Sequence, residues 1–342
     1  MAAINAAIER MELNLMLRCM LILVMCLLSG PSVEPDGSAE TLARFEYTQI
    51  VMGVGARLVF YAKDEPSARA AAEATYRRLN ELDAILSDYR PDSELMRLCR
   101  AEPGKPHGVS PELGFVLSQS IDIATKTTGA FDPTVGPIVR LWRKARKTGR
   151  RPNAQALDRA RSLVGYEKVS VDPENETVTL LAPGMQLDLG GIAKGYAADE
   201  AIKVLTGLGI DRALVDLGGD LTASEPPPGE PAWRVVVDDG VRAPREVELV
   251  NGAIATSGDL VQHTIIDGVR YSHIIDPRTG EPVTTAAAAT VTAPSGLLAD
   301  ALASAACVDG EQTSQWKLRF DGVTITVQFG APELDQEVDP QG

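Results

Sequence analysis

Alternation and helical spacing divide the chain into short, mixed elements. "ARLVFYA", Ala56 to Ala62, alternates and reads as a strand. Pro66 then opens a helix on which Ala72, Tyr76, Leu79, Leu82 and Leu86 recur on one face. Ser110 and Pro111 start a second helix, which ends at Gly129. "KVSVDPENETVTLL" predicts a hairpin by its alternation about turn residues, and "WRVVVDD" to "REVELV" a second. "LRFDGVTITVQF" predicts a third, with Asp321 and Gly322 as its two-residue turn. "MQLDLGG" alternates as a strand and hands over to a helix with Ala197, Ala201 and Val204 on one face. "SGLLADALASAA" is a further helix with Ser295 as its N-cap. The proline-dense "ASEPPPGEPAW" is a surface excursion or a lobe boundary. No internal repeat and no regular βαβ rhythm is present, so the expected class is α+β: mixed sheets with packed helices, in two intimate lobes of one domain.

The first thirty residues depart from this pattern. Arg10 and Arg18 precede the apolar run "CMLILVMCLL", and "SGPS" follows, the order of a secretory leader. The run is short for a membrane span, and Met25 before Cys26 is larger than a lipidation site accepts. The expectation is an exported protein: residues 1–30 a signal peptide or membrane anchor, 31–46 a linker, 47–330 the body, and 331–342 a solvated tail with four acids and no base. A net charge of −14 argues against nucleic acid, which needs clustered bases. Of four cysteines only Cys99 and Cys307 lie in the body, so one disulfide is allowed, and the spacings of a zinc site are absent.

An acidic protein must handle an anionic ligand locally, and one stretch is built for that. In "LDLGGIAKGYAADEA" Gly190 and Gly191 turn into a helix, exposing backbone N–H groups, with Lys194 in its first turn to meet a phosphoryl oxygen. An ordinary glycine turn before a solvated helix fits as well, and neither a Walker loop nor a full dinucleotide fingerprint is present. "ALVDLGGDL" repeats the device around Asp216, with a tight hairpin turn as the alternative. Asp300 and Ser304 lie four apart on an alanine-rich helix, suiting an oxygen-seeking cation such as Mg²⁺; an isolated acid there is otherwise simply solvated. His273 stands at the end of an apolar strand, as a general base or a structural histidine.

Taken in order, "MGVGARLVFYA", "ILSDYRPDSEL", "TTGAFDPTVGPIVRLW", "LDLGGIAKGYAADEA", "ALVDLGGDL", "ATSGD", "SHIIDPRTGEP" and "ADALASAACV" resemble the FAD:protein FMN transferases, the ApbE family, over about Thr48 to Phe329. The resemblance implies an exported, Mg²⁺-dependent α+β enzyme that cleaves FAD, releases AMP and joins FMN through a phosphoester to a threonine or serine of a partner protein. It implies flavin or FAD contacts at Met52, Tyr89, Ala130, Phe131, Asp132, Asp188, Lys194 and Ile274, with Asp216 in the second glycine turn joining them. Mg²⁺ ligands are implied at the Gly191 carbonyl, Asp300, the Ala303 carbonyl and the Ser304 hydroxyl. His273 is the candidate base and Asp300 its rival. Ser304 stands where the family has threonine, and Cys99 where asparagine is expected. A flavin-storage protein, or an Mg²⁺-dependent FAD pyrophosphatase, would use the same site.

Overall fold

The computed structural model describes residues 41–329, apart from 241–242, 259–262 and 285–286. The expected leader and the acidic tail lie outside these residues. Among the described residues no helix is long and apolar enough to cross a membrane.

A seven-stranded sheet organises the molecule. Its strands run in the order β1 (Ala43–Val51), β2 (Val54–Ala62), β6 (Ala213–Leu217), β7 (Asp220–Ala223), β10 (Gly252–Gly258), β13 (Ala287–Ala293) and β14 (Thr324–Phe329). Every neighbouring pair is antiparallel. β1 takes in Ala43 to Glu46, residues that the sequence reading assigned to the linker.

The alternation seen in the sequence feeds two cores. Along β2, Leu58 and Phe60 face one layer and Val59 the other; along β6, Ala213 and Val215 oppose Leu214 in the same way. On the first face lie α1 (Glu65–Leu86), α3 (Pro111–Lys126), α6 (Ala193–Gly207) and α7 (Gly296–Asp309). Asp64 caps α1 by accepting from the Ser67 N–H, and the predicted stripe from Ala72 to Leu86 is buried. On the second face the β8 (Trp233–Val237) and β9 (Arg245–Leu249) hairpin lays Trp233 and Val235 on the sheet. A third cluster joins α4 (Gly136–Thr148), α5 (Ala154–Arg161) and the hairpin of β11 (His263–Ile266) with β12 (Val269–Ser272), around Ile138, Trp142 and Tyr271. β3 (His107–Gly108), β4 (Val169–Asp172) and β5 (Thr177–Leu180) make a small sheet, and α2 (Glu94–Leu98) a single short helix beside it in sequence.

Two expectations are corrected. "LRFDGVTITVQF" is no hairpin: Lys317–Arg319 form a 3₁₀ turn and only β14 is a strand, pairing with β13. Local alternation there reported burial against α7, not a local partner. "MQLDLGG" is not a strand either, since the Asp188 N–H donates to the Pro133 carbonyl and the turn begins at once. The disulfide that the sequence allowed is not formed: Cys99 and Cys307 are buried thiols, Cys99 Sγ accepting from the Leu187 N–H and Cys307 Sγ donating to the Ser257 carbonyl.

Candidate active site

α6 and α7 bring the site together because nothing separates their backbones. A Cβ on Gly195 would overlap the Gly296 carbonyl, and one on Gly296 would come within 2.5 Å of the Gly195 oxygen. Asp199, one turn along α6, accepts from the Gly296 N–H at 2.6 Å and the Leu297 N–H at 3.0 Å. It therefore caps α7 from a neighbouring helix, while Ser295 caps it locally through the Leu298 N–H. The small residues predicted around Asp300 are what permit this approach: Ala299, Ala301 and Ala303 are fully buried.

At the end of that contact, Lys194 meets two carboxylates. Its Nζ lies 2.9 Å from Asp220 Oδ2 and 3.3 Å from Asp300 Oδ2, and donates to the Gly190 carbonyl at 3.4 Å. The Gly195 N–H gives Asp300 a further bond at 3.2 Å. Burial alone would push the Lys194 ammonium down, but Asp220 and Asp300 outweigh it and hold the group well above its usual range. Desolvation raises Asp220 to about 7, with Asp300 and Asp216 adding repulsion against the pull of Lys194. Asp216 is raised by burial despite Arg57 at 3.5 Å and a bond from the Gly219 N–H. The second glycine turn is the β6–β7 hairpin, which delivers Asp220 to Lys194.

The first glycine turn sits above this cluster. A Cβ on Gly191 would come within 2.7 Å of Ser304 Oγ, so that hydroxyl and the Gly191 backbone share one small cradle, with Phe131 at its side. Ser304 Oγ also lies 3.4 Å from Ser257 Oγ. Asp300 and Ser304, one turn apart on α7, offer a carboxylate and a hydroxyl, oxygen donors of the kind a hard cation such as Mg²⁺ takes, and a side chain at Gly191 would crowd that hydroxyl. The fit is by oxygen chemistry and room, since among the described residues no three His, Cys, Asp or Glu side chains cluster as a metal site.

A second group adjoins the turn on the other side. Asp188 accepts from the Gly190 N–H at 2.9 Å and from Arg143 Nη2 at 3.1 Å, while Arg143 Nη1 also holds Asp88 at 2.5 Å. The Arg143 guanidinium stacks on the Tyr89 ring at 4.2 Å, and Tyr89 is 75% exposed. Desolvation, then Asp88, pushes Asp188 up to about 6 against the pull of Arg143.

The expected residues thus fall into connected groups. Lys194 on α6 meets Asp300 on α7, Gly191 meets Ser304, Ala303 is buried beside Ser304 on α7, and Asp216 lies close through Asp220. Asp188 and Tyr89 are joined by Arg143. Ala130 and Phe131 are buried, and the Asp132 carboxylate is engaged by the Thr134 N–H and Oγ1 and by the Tyr166 N–H. Met52, at φ 53°, forms the β1–β2 turn, whose neighbour Val54 closes on Gly218 of the second glycine turn. His273 follows β12 directly and is half-buried; the Ile274 N–H donates to Ser272 Oγ, and Ile274 packs on the main core. Sequence reasoning missed Asp220, Arg143, Asp88 and Asp199. Asp220 was visible in "LGGDL" as a charge beside a turn; the other three take their roles from helix register and packing.

The chain is similar to known proteins over most of its length. The model of the ApbE family matches residues 52–325. The FAD:protein FMN transferase of Treponema pallidum is 34% identical over 327 residues, 90% of each chain, and that of Klebsiella pneumoniae 33% identical over 283 residues, 80% of this chain and 81% of its own. The apo flavinyl transferase ApbE of Pseudomonas stutzeri superposes with a TM-score of 0.75 at 29% identity, covering 84% of this chain and 95% of its own. The ApbE protein of Thermotoga maritima gives a TM-score of 0.75 at 31% identity, covering 84% and 96%.

Proposed function

Since the chain belongs to the ApbE family, we propose that it is an Mg²⁺-dependent FAD:protein FMN transferase acting on a threonine or serine of an acceptor protein outside the cytoplasm. The observation that carries this reading is the Lys194 ammonium held 2.9 Å from Asp220 and 3.3 Å from Asp300 beneath a bare glycine turn. A dinucleotide pyrophosphate brought among Asp188, Asp216, Asp220 and Asp300 would be repelled unless cations answered it. Lys194 is one such cation. Asp300, Ser304 Oγ and the carbonyls of Gly191 and Ala303 would hold Mg²⁺, which when bound neutralises and polarises phosphoryl oxygens.

In the reaction, the acceptor hydroxyl oxygen attacks the phosphorus on the FMN side of the pyrophosphate. A new phosphoester bond forms, the P–O bond to the bridging oxygen breaks, and that oxygen leaves with AMP. The hydroxyl proton passes to a base, for which His273 is the proposed residue. Arg143 holds Tyr89 and Asp188 in fixed relation, so the aromatic wall and the glycine turn present one surface to the flavin end. Ser304 keeps the oxygen of a threonine without its methyl group, which leaves its rotamer freer.

The test is to incubate the protein with FAD and Mg²⁺, with and without an acceptor domain, and follow AMP release and acceptor mass. Transfer adds one FMN to the acceptor for each AMP. AMP with no mass gain would instead mark an FAD pyrophosphatase, and flavin binding with neither product a storage protein.

A further inference from the structure

The geometry points to α4 and the turn after it as the docking surface for an acidic segment of the acceptor protein, an inference that rests on the transferase reading above. From Arg140 to Arg151 the chain carries seven bases and no acid, in a molecule of net charge −14. Helical spacing sorts them. Ile138, Trp142 and Ala145 are the buried stripe. Arg143 and Arg146, one turn apart, flank it on the side of Tyr89: Arg143 stacks on the ring, and burial followed by the charge of Arg143 lowers Arg146. Arg140, Lys144 and Lys147 form the exposed face, and Arg150 and Arg151 continue it past Gly149.

Arg151 is answered within the fold by Glu281 at 2.5 Å, but among the described residues the rest of this exposed face has no such carboxylate. On other helices several exposed bases pair within a turn, as in Arg69 with Glu65 at 2.9 Å, Lys126 with Asp122 at 2.8 Å and Lys203 with Glu200 at 2.8 Å. Lys144, Lys147 and Arg150 have no carboxylate partner among the described residues. Like charges at this spacing repel modestly, a repulsion that a bound anion would offset. The face also lies beside the right place: Arg143, on the same helix, is bonded to Asp188 and stacked on Tyr89, so whatever docks on α4 lies at the edge of the candidate active site.

An acidic protein segment fits this face better than a membrane. An interfacial helix needs an apolar side left to insert, and the apolar side of α4 is already buried. Around the patch the acidic body repels an acidic partner, which would confine productive approach to this one orientation.

The experiment is steady-state transfer to an acceptor domain by the wild type and by Lys144→Glu/Lys147→Glu/Arg150→Glu, with Lys144→Gln/Lys147→Gln/Arg150→Gln as an uncharged control. None of the three residues belongs to the catalytic set. The charge-reversed variant should raise KM for the acceptor about tenfold or more, the neutral variant less, with kcat and FAD affinity by flavin fluorescence unchanged. Added salt should raise KM for the wild type, leave the neutral variant nearly indifferent and lower KM for the reversed variant. Poly-glutamate should bind the wild type by calorimetry and compete with the acceptor, and fail to bind the reversed variant. An acceptor KM equal to wild type in both variants overturns the proposal, as does retention of the wild type alone on phosphatidylglycerol vesicles with acceptor KM unmoved. Should the wild type transfer no FMN at all, the transferase reading fails by itself, while poly-glutamate binding still reports on the surface.

Discussion

At the scale of single residues, Asp300 carries the greatest demand, because it faces Lys194 and the Gly195 N–H and is also the proposed carboxylate ligand. If Asp300 holds the cation as proposed, Asp300→Ala should abolish transfer and any Mg²⁺ binding that calorimetry reads in the wild type, whereas Ser304→Thr, which keeps the oxygen, should retain or improve both. Full activity of Asp300→Ala in EDTA would end the assignment. His273→Asn should slow single-turnover transfer by about 10²–10⁴-fold with FAD affinity nearly intact. Parallel loss of binding and rate would make His273 a cofactor contact, and pass the base to another group. The identities of Lys194, Asp300 and Ser304 were legible in the sequence because each lies in a motif with its own local logic. Arg143 was not, since only the packing of Trp142 aims its neighbour at Asp188 and Tyr89.

At the scale of elements, the α6–α7 contact decides whether the two halves of the site meet. Gly195→Ala would drive a methyl group into the Gly296 carbonyl and should cost about 3 kcal/mol, read as a lowered Tm. Asp199→Ala leaves two α7 N–H groups without their acceptor and should cost about 1–3 kcal/mol. Its signature is a loss of Mg²⁺ affinity beyond what the Tm shift explains, because Asp300 and Ser304 ride on α7. Unchanged Mg²⁺ affinity would reduce Asp199 to a capping residue alone. Helices were the legible elements: the α1 stripe and the Ser295 cap depend on residues a turn apart. The strand expected at Met185–Leu189 and the hairpin expected at β14 depended on partners distant in sequence, and alternation does not name a partner.

At the scale of the whole molecule, buried acids make stability depend on pH. Asp188 titrates at about 6 in the fold against an ordinary 3.8, so the folded state binds the extra proton between these values. Its stabilising contribution is complete below about pH 4 and is lost as pH rises through about 6, a change on the order of 2–3 kcal/mol. Unliganded protein should therefore lose Tm from this group between about pH 4 and 7, and Asp188→Asn should flatten the curve in scanning calorimetry. The groups that set this behaviour come from far apart along the chain: Asp88, Arg143, Asp188, Lys194, Asp220 and Asp300. Asp300 is the last of these in the chain, and it meets Lys194 where α7 packs, glycine against glycine, on α6. A chain cut short before Ser295 would keep the glycine turn and Lys194 but lack α7, and with it both side chains proposed to hold the cation.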